Sequence, residues 1–224
     1  MCAELDLTRQ TVHRLLKQLE ALHFVQRDLD RERFVLGAAF TKLALTAVTG
    51  NRSGSLARAV MERLVSSIRE TCNVGVLDAH EVVYIERVEC DWPLRVQLAP
   101  GSRVPAYCTA IGKLMLAQLP PDKLRQFLQA VDLKPLTPNT ITDSKRFGEA
   151  MEAIRQDGYA INNQEDSLGL LAIAVPILNE TGGVAAGLAV HGPEVRLPRE
   201  RAISLLPQLR ETADVLRSVL FGND

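Results

Sequence analysis

Two apolar runs near the end of the chain, LLAIAVPIL (Leu170–Leu178) and VAAGLAVHG (Val184–Gly192), constrain the fold most. Both have the length of a strand rather than a helix. Asn179–Gly183 joins them with a turn composition. A link this short suits antiparallel neighbours, because parallel ones need a long crossover. YAINNQ (Tyr159–Gln164) is a third strand candidate just upstream. Earlier still, CNVGVLD and VVYIERVE flank Ala79-His80-Glu81, a hairpin signal, and RVQLAP (Arg95–Pro100) reads as a further strand.

Helical patterns surround these strands. Leu56, Val60, Leu64 and Ile68 recur one turn apart. AIGKLMLAQL is ended by Pro120-Pro121, and DKLRQFLQAV follows it. DSKRFGEAMEAIRQDG is capped by Asp143 or Ser144 and closed by Gly158. A last helix presents Leu206, Leu209, Ala213, Leu216 and Leu220, with Pro207 early in it or kinking it. Strands and helices without strict βαβ alternation predict an α+β fold: an antiparallel sheet with flanking helices.

The first residues follow a different logic. In LTRQTVHRLLKQLE (Leu7–Glu20), Val12, Leu15, Leu16 and Leu19 form one helical stripe, and Leu22 extends it. Thr8 is placed to cap the helix. Its polar face carries Arg9, Gln10, Thr11, His13, Arg14 and Lys17. Arg and Gln in a first turn suit base edges, and Arg14 and Lys17 suit phosphates. A solvated basic face explains the same spacing equally well. FVQRDLDRERFVLG (Phe24–Gly37) then reads as two short strands around the turn Leu29–Glu32. A helix followed at once by a hairpin has the order of a winged helix-turn-helix, with Arg31 and Arg33 on the wing. Residues 1–36 nevertheless hold six basic and six acidic side chains, so only the local face favours DNA. The net charge of −1 advertises no nucleic-acid partner either.

These pieces together resemble the IclR family of bacterial transcription regulators. TRQTVHRLLKQLEALHFVQRD and RERFVLG match its DNA-binding half. YCTAIGKLMLAQLP, DGYAINNQEDSLGLLAIAVPI and GGVAAGLAVHGP match its effector-binding domain in the same order. The resemblance implies a winged helix-turn-helix over residues 1–37, a linker helix over 38–52 and a GAF-like effector-binding domain over 53–224. The Gly/Ser/Asn stretch Thr49–Ser55 marks the boundary. The sensor is expected as a curved sheet with helices on one side and a ligand pocket between sheet and loops. The family places two helices before the reading helix. This chain opens within the second of them, at MCAEL, so its first helix is expected to be missing. A rival reading follows: a ligand sensor that no longer binds DNA.

The resemblance also implies pocket residues. Ala110 and Ile111 take the place of a backbone-amide anchor at a helix start, a position suited to carboxylates. Leu94 and Gln97 match lining positions on an adjoining strand, Leu170 and Ala172 a strand wall, and Asn162 a position that is acidic in some members. Ala189 and His191, two apart, share one face of the last strand. Because Ala172 and Ala189 offer no polar group, the pocket is expected to be roomy and weakly polar. It would hold a carboxylated effector with an apolar or aromatic body. A protonated His191 would add charge to that grip; alternatively, His191 only satisfies backbone at a strand end. Regulation through a homodimer or tetramer on a roughly palindromic operator follows from the family.

Enzymatic readings fare worse. Gly112-Lys113 echoes a P-loop, but Tyr107 stands where its first glycine belongs and Leu114 replaces Ser/Thr. No GxGxxG opens a helix after a strand, and GxSxG is absent. His13, His23, His80 and His191 lack ligand spacing; a zinc site from Cys72, His80 and Cys90 is a weak candidate. Cys108 with His191 lacks a third orienting group. No cofactor, metal or catalytic residue is assigned. Cys2, Cys72, Cys90 and Cys108 form no CxxC and are expected as free thiols. No signal peptide is read at the start, and no apolar run approaches the roughly 18 residues of a membrane span, so a cytoplasmic protein is expected.

Overall fold

The computed structural model describes residues 8–27, 33–37, 39–40, 52–93 and 98–221. The chain divides into two compact units, Met1–Gly50 and Asn51–Asp224. MCAEL, the turn Leu29–Glu32, most of Ala38–Val48 and the first half of RVQLAP lie outside the described residues.

In the first unit, α1 spans Arg9–Ala21. Thr8 caps it as expected, its Oγ1 accepting the Thr11 N–H at 3.3 Å. Val12 is buried, whereas Leu15, Leu19 and Leu22 remain 42%, 39% and 62% exposed. His23 then takes a left-handed φ of 58° and turns the chain into a hairpin. Its strands are β1 (Val25–Arg27) and β2 (Phe34–Leu36), with Val25 opposite Leu36. Gly37 closes the hairpin against α1's exit: a Cβ there would lie 2.3 Å from the His23 carbonyl oxygen, so no other residue fits.

The second unit is built on one antiparallel sheet. Its strands are β3 (Thr71–Asp78), β4 (Glu81–Val88), β5 (Arg103–Pro105), β6 (Ala160–Asn163), β7 (Leu170–Leu178) and β8 (Val184–Pro193). Their spatial order is β5-β4-β3-β8-β7-β6. The hairpin signal at Ala79-His80 holds, with Asp78 opposite Glu81. The β7–β8 pair runs from Leu170–Pro193 to Leu178–Val184. Within RVQLAP, residues 98–100 are not strand; β4's outer partner is β5 instead.

Period-two alternation sorts the sheet's faces. Leu171, Ile173, Val175 and Ile177 of β7 and Ala186, Leu188 and Val190 of β8 pack in one cluster with two long helices. These are α2 (Arg52–Ile68) and, near the chain's end, a helix over Leu206–Phe221. On the opposite face stand smaller residues, among them Ala174 and Ala189, beneath Ala110–Leu116 and Ser144–Asp157. In chain order the remaining helices are α3 (Ala110–Leu116), α4 (Pro121–Ala130), α5 (Ser144–Asp157), α6 (Arg199–Ser204) and α7 (Leu206–Phe221). Helices thus cover both faces, not one as expected, because small side chains leave room for a second layer.

Three local expectations shift. α2 begins at Arg52, inside the Ser/Gly break, since tertiary packing of Ala57, Met61, Leu64 and Ile68 outweighs the weak helix preference of one glycine. Its buried stripe runs through Ala57 and leaves Leu56 50% exposed. Pro207 is the second residue of α7, where a missing N–H costs no helical bond. Asp143 caps α5 through the Arg146 N–H at 2.8 Å, and Gly158 ends it with φ 71°.

Candidate functional site

The site forms where α3 settles on the small-residue face. Glycines bring the helix close. A Cβ on Gly187 would lie 2.9 Å from Ile111 Cγ2, and one on Gly75 would lie 3.3 Å from Ile111 Cδ1. Gly112 meets the preceding loop still more tightly: a Cβ would lie 2.1 Å from the Ala106 carbonyl oxygen. That contact, not a phosphate, accounts for Gly112. Thr109 precedes the helix, and its hydroxyl donates to the Pro105 carbonyl at 2.8 Å.

A cavity of about 40 Å³ lies beside this seat. Ala110 and Ile111 of α3, Asn162 of β6, Leu170 and Ala172 of β7, and Ala189 and His191 of β8 all line it. The register aligns them: Asn162 faces Ala172, which faces His191. Leu94 and Gln97 lie outside the described residues. The sequence reading missed Asn73, Tyr84, Thr109, Asp166 and Leu171, which line the cavity too. Asn73 and Tyr84 had a signal: each is a polar residue flanked by apolar ones within its strand. Asp166 had none at this distance from its neighbours in sequence.

The expected roomy, weakly polar pocket is corrected on both counts. At about 40 Å³ the hollow is far smaller than the roughly 150 Å³ that holds benzene, so a ring would enter only with movement of its lining. Asn73, Tyr84 and Asp166 also bring polar groups over the floor that Ala172 and Ala189 leave bare.

A second correction concerns charge. Arg87 of β4 is buried, and its Nη1 donates to Asn73 Oδ1 at 2.8 Å and to His191 Nε2 at 3.2 Å. A guanidinium only donates, so His191 accepts here and its ring is neutral. Burial first, then the Arg87 charge, pulls the imidazole down to about 4. The positive charge at this wall therefore belongs to Arg87 rather than to a protonated His191. Burial, reinforced by Asp166, pushes the Tyr84 phenol up to about 12, so it stays protonated.

The β6–β7 loop forms the other wall. Gln164 turns it with φ 59°, and its carbonyl and that of Glu165 accept from Thr137 and Thr140 hydroxyls at 2.7 and 2.6 Å. Asn162 Oδ1 accepts the Glu165 N–H at 2.8 Å, while its amide nitrogen donates to Asp166 Oδ1 at 2.6 Å. Glu165 pairs with Lys113 of α3, both side chains being almost fully buried. Lys113 also donates to the Ile161 carbonyl at 2.6 Å. Burial pulls the Lys113 ammonium below its usual range against the opposing pull of Glu165. The pair ties the helix to the loop across the cavity.

Cys108 is fully buried, and burial with the nearby Asp166 carboxylate pushes its thiol up to about 12. A thiol so held is no nucleophile at neutral pH. Cys72, Cys90 and Cys108 are free. Among the described residues, no group of three His, Cys, Asp or Glu is placed to hold a metal ion.

In the first unit, Arg9, Gln10, His13, Arg14 and Lys17 are exposed along α1, as is Arg33 at the start of β2's approach. Thr11 differs: its hydroxyl meets the capping Thr8 hydroxyl at 2.9 Å, so it serves the helix start before any base. Arg31 lies outside the described residues.

Residues 48–217 match the family model described as the bacterial transcriptional regulator IclR C-terminal domain. The chain belongs to the IclR family. The probable transcriptional regulator SauR of Cupriavidus necator is 36% identical over 210 residues, covering 94% of this chain and 83% of that one. The inducer-binding domain of the Acinetobacter PobR transcription factor, solved with 3-hydroxybenzoic acid, is 35% identical with a TM-score of 0.69, covering 74% of this chain and 98% of that one. An IclR homologue from Microbacterium hydrocarbonoxydans, solved with 4-hydroxybenzoate, is 25% identical with a TM-score of 0.69, covering 98% of this chain and 88% of that one. Relatives of the IclR family are thus transcriptional regulators. Among the described residues, no helix is long and apolar enough to cross a membrane.

Proposed function

We propose that this IclR-family regulator binds operator DNA through α1 and the hairpin, and that a small carboxylic acid in the sheet cavity controls that binding. It acts as a cytoplasmic regulator, not an enzyme. The observation that carries the effector half is convergence: distant segments meet on one hollow backed by the buried Arg87. The acid group sits against the first turn of α3 at Ala110 and Ile111, within reach of the Asn73 amide and the field of Arg87. Relatives solved with hydroxybenzoates support a carboxylated ligand, while the small cavity favours a shorter one.

The reading face is Arg9, Gln10, His13, Arg14 and Lys17, with Arg31 and Arg33 on the wing. In a dimer or tetramer these faces repeat, and a roughly palindromic operator matches a two-fold pair. The effector must bind two arrangements of the assembly unequally, or no equilibrium shifts. Residues 38–52 join the two units and carry the change.

Calorimetry with short carboxylic acids tests the effector half. Binding should weaken about tenfold in His191→Ala, which removes a wall hydrogen-bonding group. Unchanged affinity removes His191 from the site. Fluorescence anisotropy on DNA tests the other half: Arg14→Ala should weaken binding on all sequences alike and lower the salt slope by about one. Relaxed preference at a single base pair instead overturns the phosphate role of Arg14.

A further inference from the structure

We propose that the cavity takes a short acid whose carbon chain also carries a hydrogen-bond donor, and that Asp166 selects for that donor. This rests on the cavity being the effector site. Its lining divides into two poles of opposite character.

At one pole, Asn73 on β3 and His191 on β8 are both hydrogen-bonded to Arg87. Since His191 Nε2 accepts, the neutral ring carries its proton on Nδ1. That N–H has no partner among the described residues. This pole presents donors, backed by the Arg87 guanidinium, whose Nε also pairs with Glu89 at 3.3 Å; neutral donors on a cationic partner suit a carboxylate.

The other pole is Asp166. One of its carboxylate oxygens accepts from Asn162 at 2.6 Å. The second has no hydrogen-bond partner among the described residues, and no cation there pairs with Asp166. Lys113 of α3 is committed to Glu165. Asp166 is half-buried, so solvent reaches this oxygen while the cavity is empty; a ligand that covers it must bring a donor of its own.

Between the poles the floor is Ala172 and Ala189, without a polar side-chain atom. Asn162, which holds Asp166, stands in one cross-strand row with Ala172 and His191, two strand spacings from His191 or about 10 Å between backbones. Side chains reach inward from both ends. A carboxylate with its donor one or two carbons away fits what remains. An unsubstituted acid would bury its apolar end against Asp166 and leave that carboxylate uncompensated.

The test is calorimetry on the full chain with acetate, glycolate and glycine. Glycolate or glycine should bind at least about tenfold tighter than acetate, and which of them leads tells a hydroxyl donor from an ammonium. In Asp166→Ala the preference should fall to within about twofold, with acetate bound no more weakly. Asp166→Asn, which keeps the side chain's shape, guards against a folding defect and should lose any preference for glycine. Thermal melting checks that both variants fold. Equal affinity for all three probes in the wild type, or a preference that survives both substitutions, overturns the role of Asp166 while leaving the acid site intact. Failure of all three to bind overturns the anionic-effector reading as well.

Discussion

The two faces of the same sheet make opposite choices. Alternate residues of β7 are Leu171, Ile173, Val175 and Ile177 on one side, and Leu170, Ala172, Ala174 and Pro176 on the other. The first set is almost wholly buried under α2 and α7. The second set is small, lies under the short α3 and leaves a hollow walled by Asn73, Asn162, Asp166 and His191. Large apolar side chains fill their space and stabilise; small ones leave space that polar groups can edge. The contrast teaches that one strand can serve stability and recognition at once, because its two faces are chemically independent.

Four substitutions or conditions sharpen or break this division. The largest effect is expected on the recognition side. Lys113→Met strands the buried Glu165 carboxylate and should cost about 4 kcal/mol in denaturant unfolding. The double variant Lys113→Met with Glu165→Leu should recover most of it. A small single-variant effect would mean that the pair is dispensable to the α3 seat. Next is Leu188→Ala on the stabilising face, expected to cost about 3 kcal/mol while ligand affinity stays unchanged. Loss of affinity there would show that the faces are coupled.

Acidification comes third. His191 titrates near 4 when folded and near its ordinary 6.5 when unfolded, so the unfolded chain binds the proton more readily between those values. The stability that neutral His191 contributes is fully present above pH 6.5 and is lost as pH falls toward about 4. Urea titrations across that window should show about 2 kcal/mol of loss that His191→Gln lacks. An unaltered slope in the variant removes His191 as the source. The smallest effect on stability is expected for Ala172→Val, about 1 kcal/mol of overpacking, yet it should abolish small-acid binding by filling the floor. Retained binding would place the ligand elsewhere.

What was legible in the sequence follows the same division. The antiparallel pair β7–β8 was readable because its apolar runs have strand length and its connection is short and turn-rich. The end of α5 was readable because Asp143 and Gly158 act within a turn of the helix they bound. Leu56 misled because Leu56 and Ala57 both fit a helical stripe, and only packing against the sheet selects the smaller one. How the polar cavity residues come together was hidden for a different reason. Asn73, Tyr84 and Asp166 come from three segments, and a register shift at Val74/Gly75 sets Tyr84 opposite Gly75. No local pattern encodes such a shift. His191 was placed correctly on its strand face, but its charge state depends on Arg87, 104 residues away in the chain.

The glycine floor has a consequence for change over time. Gly75, Gly112 and Gly187 hold α3 so low that a single methyl at any of them meets Ile111, Val82 or the Ala106 backbone. Retuning the receptor toward a new metabolite must therefore come from the cavity lining and not from the glycines that seat the helix. Ala172, Ala189 and the loop bearing Asp166 are where a descendant, or a designer, has freedom to move.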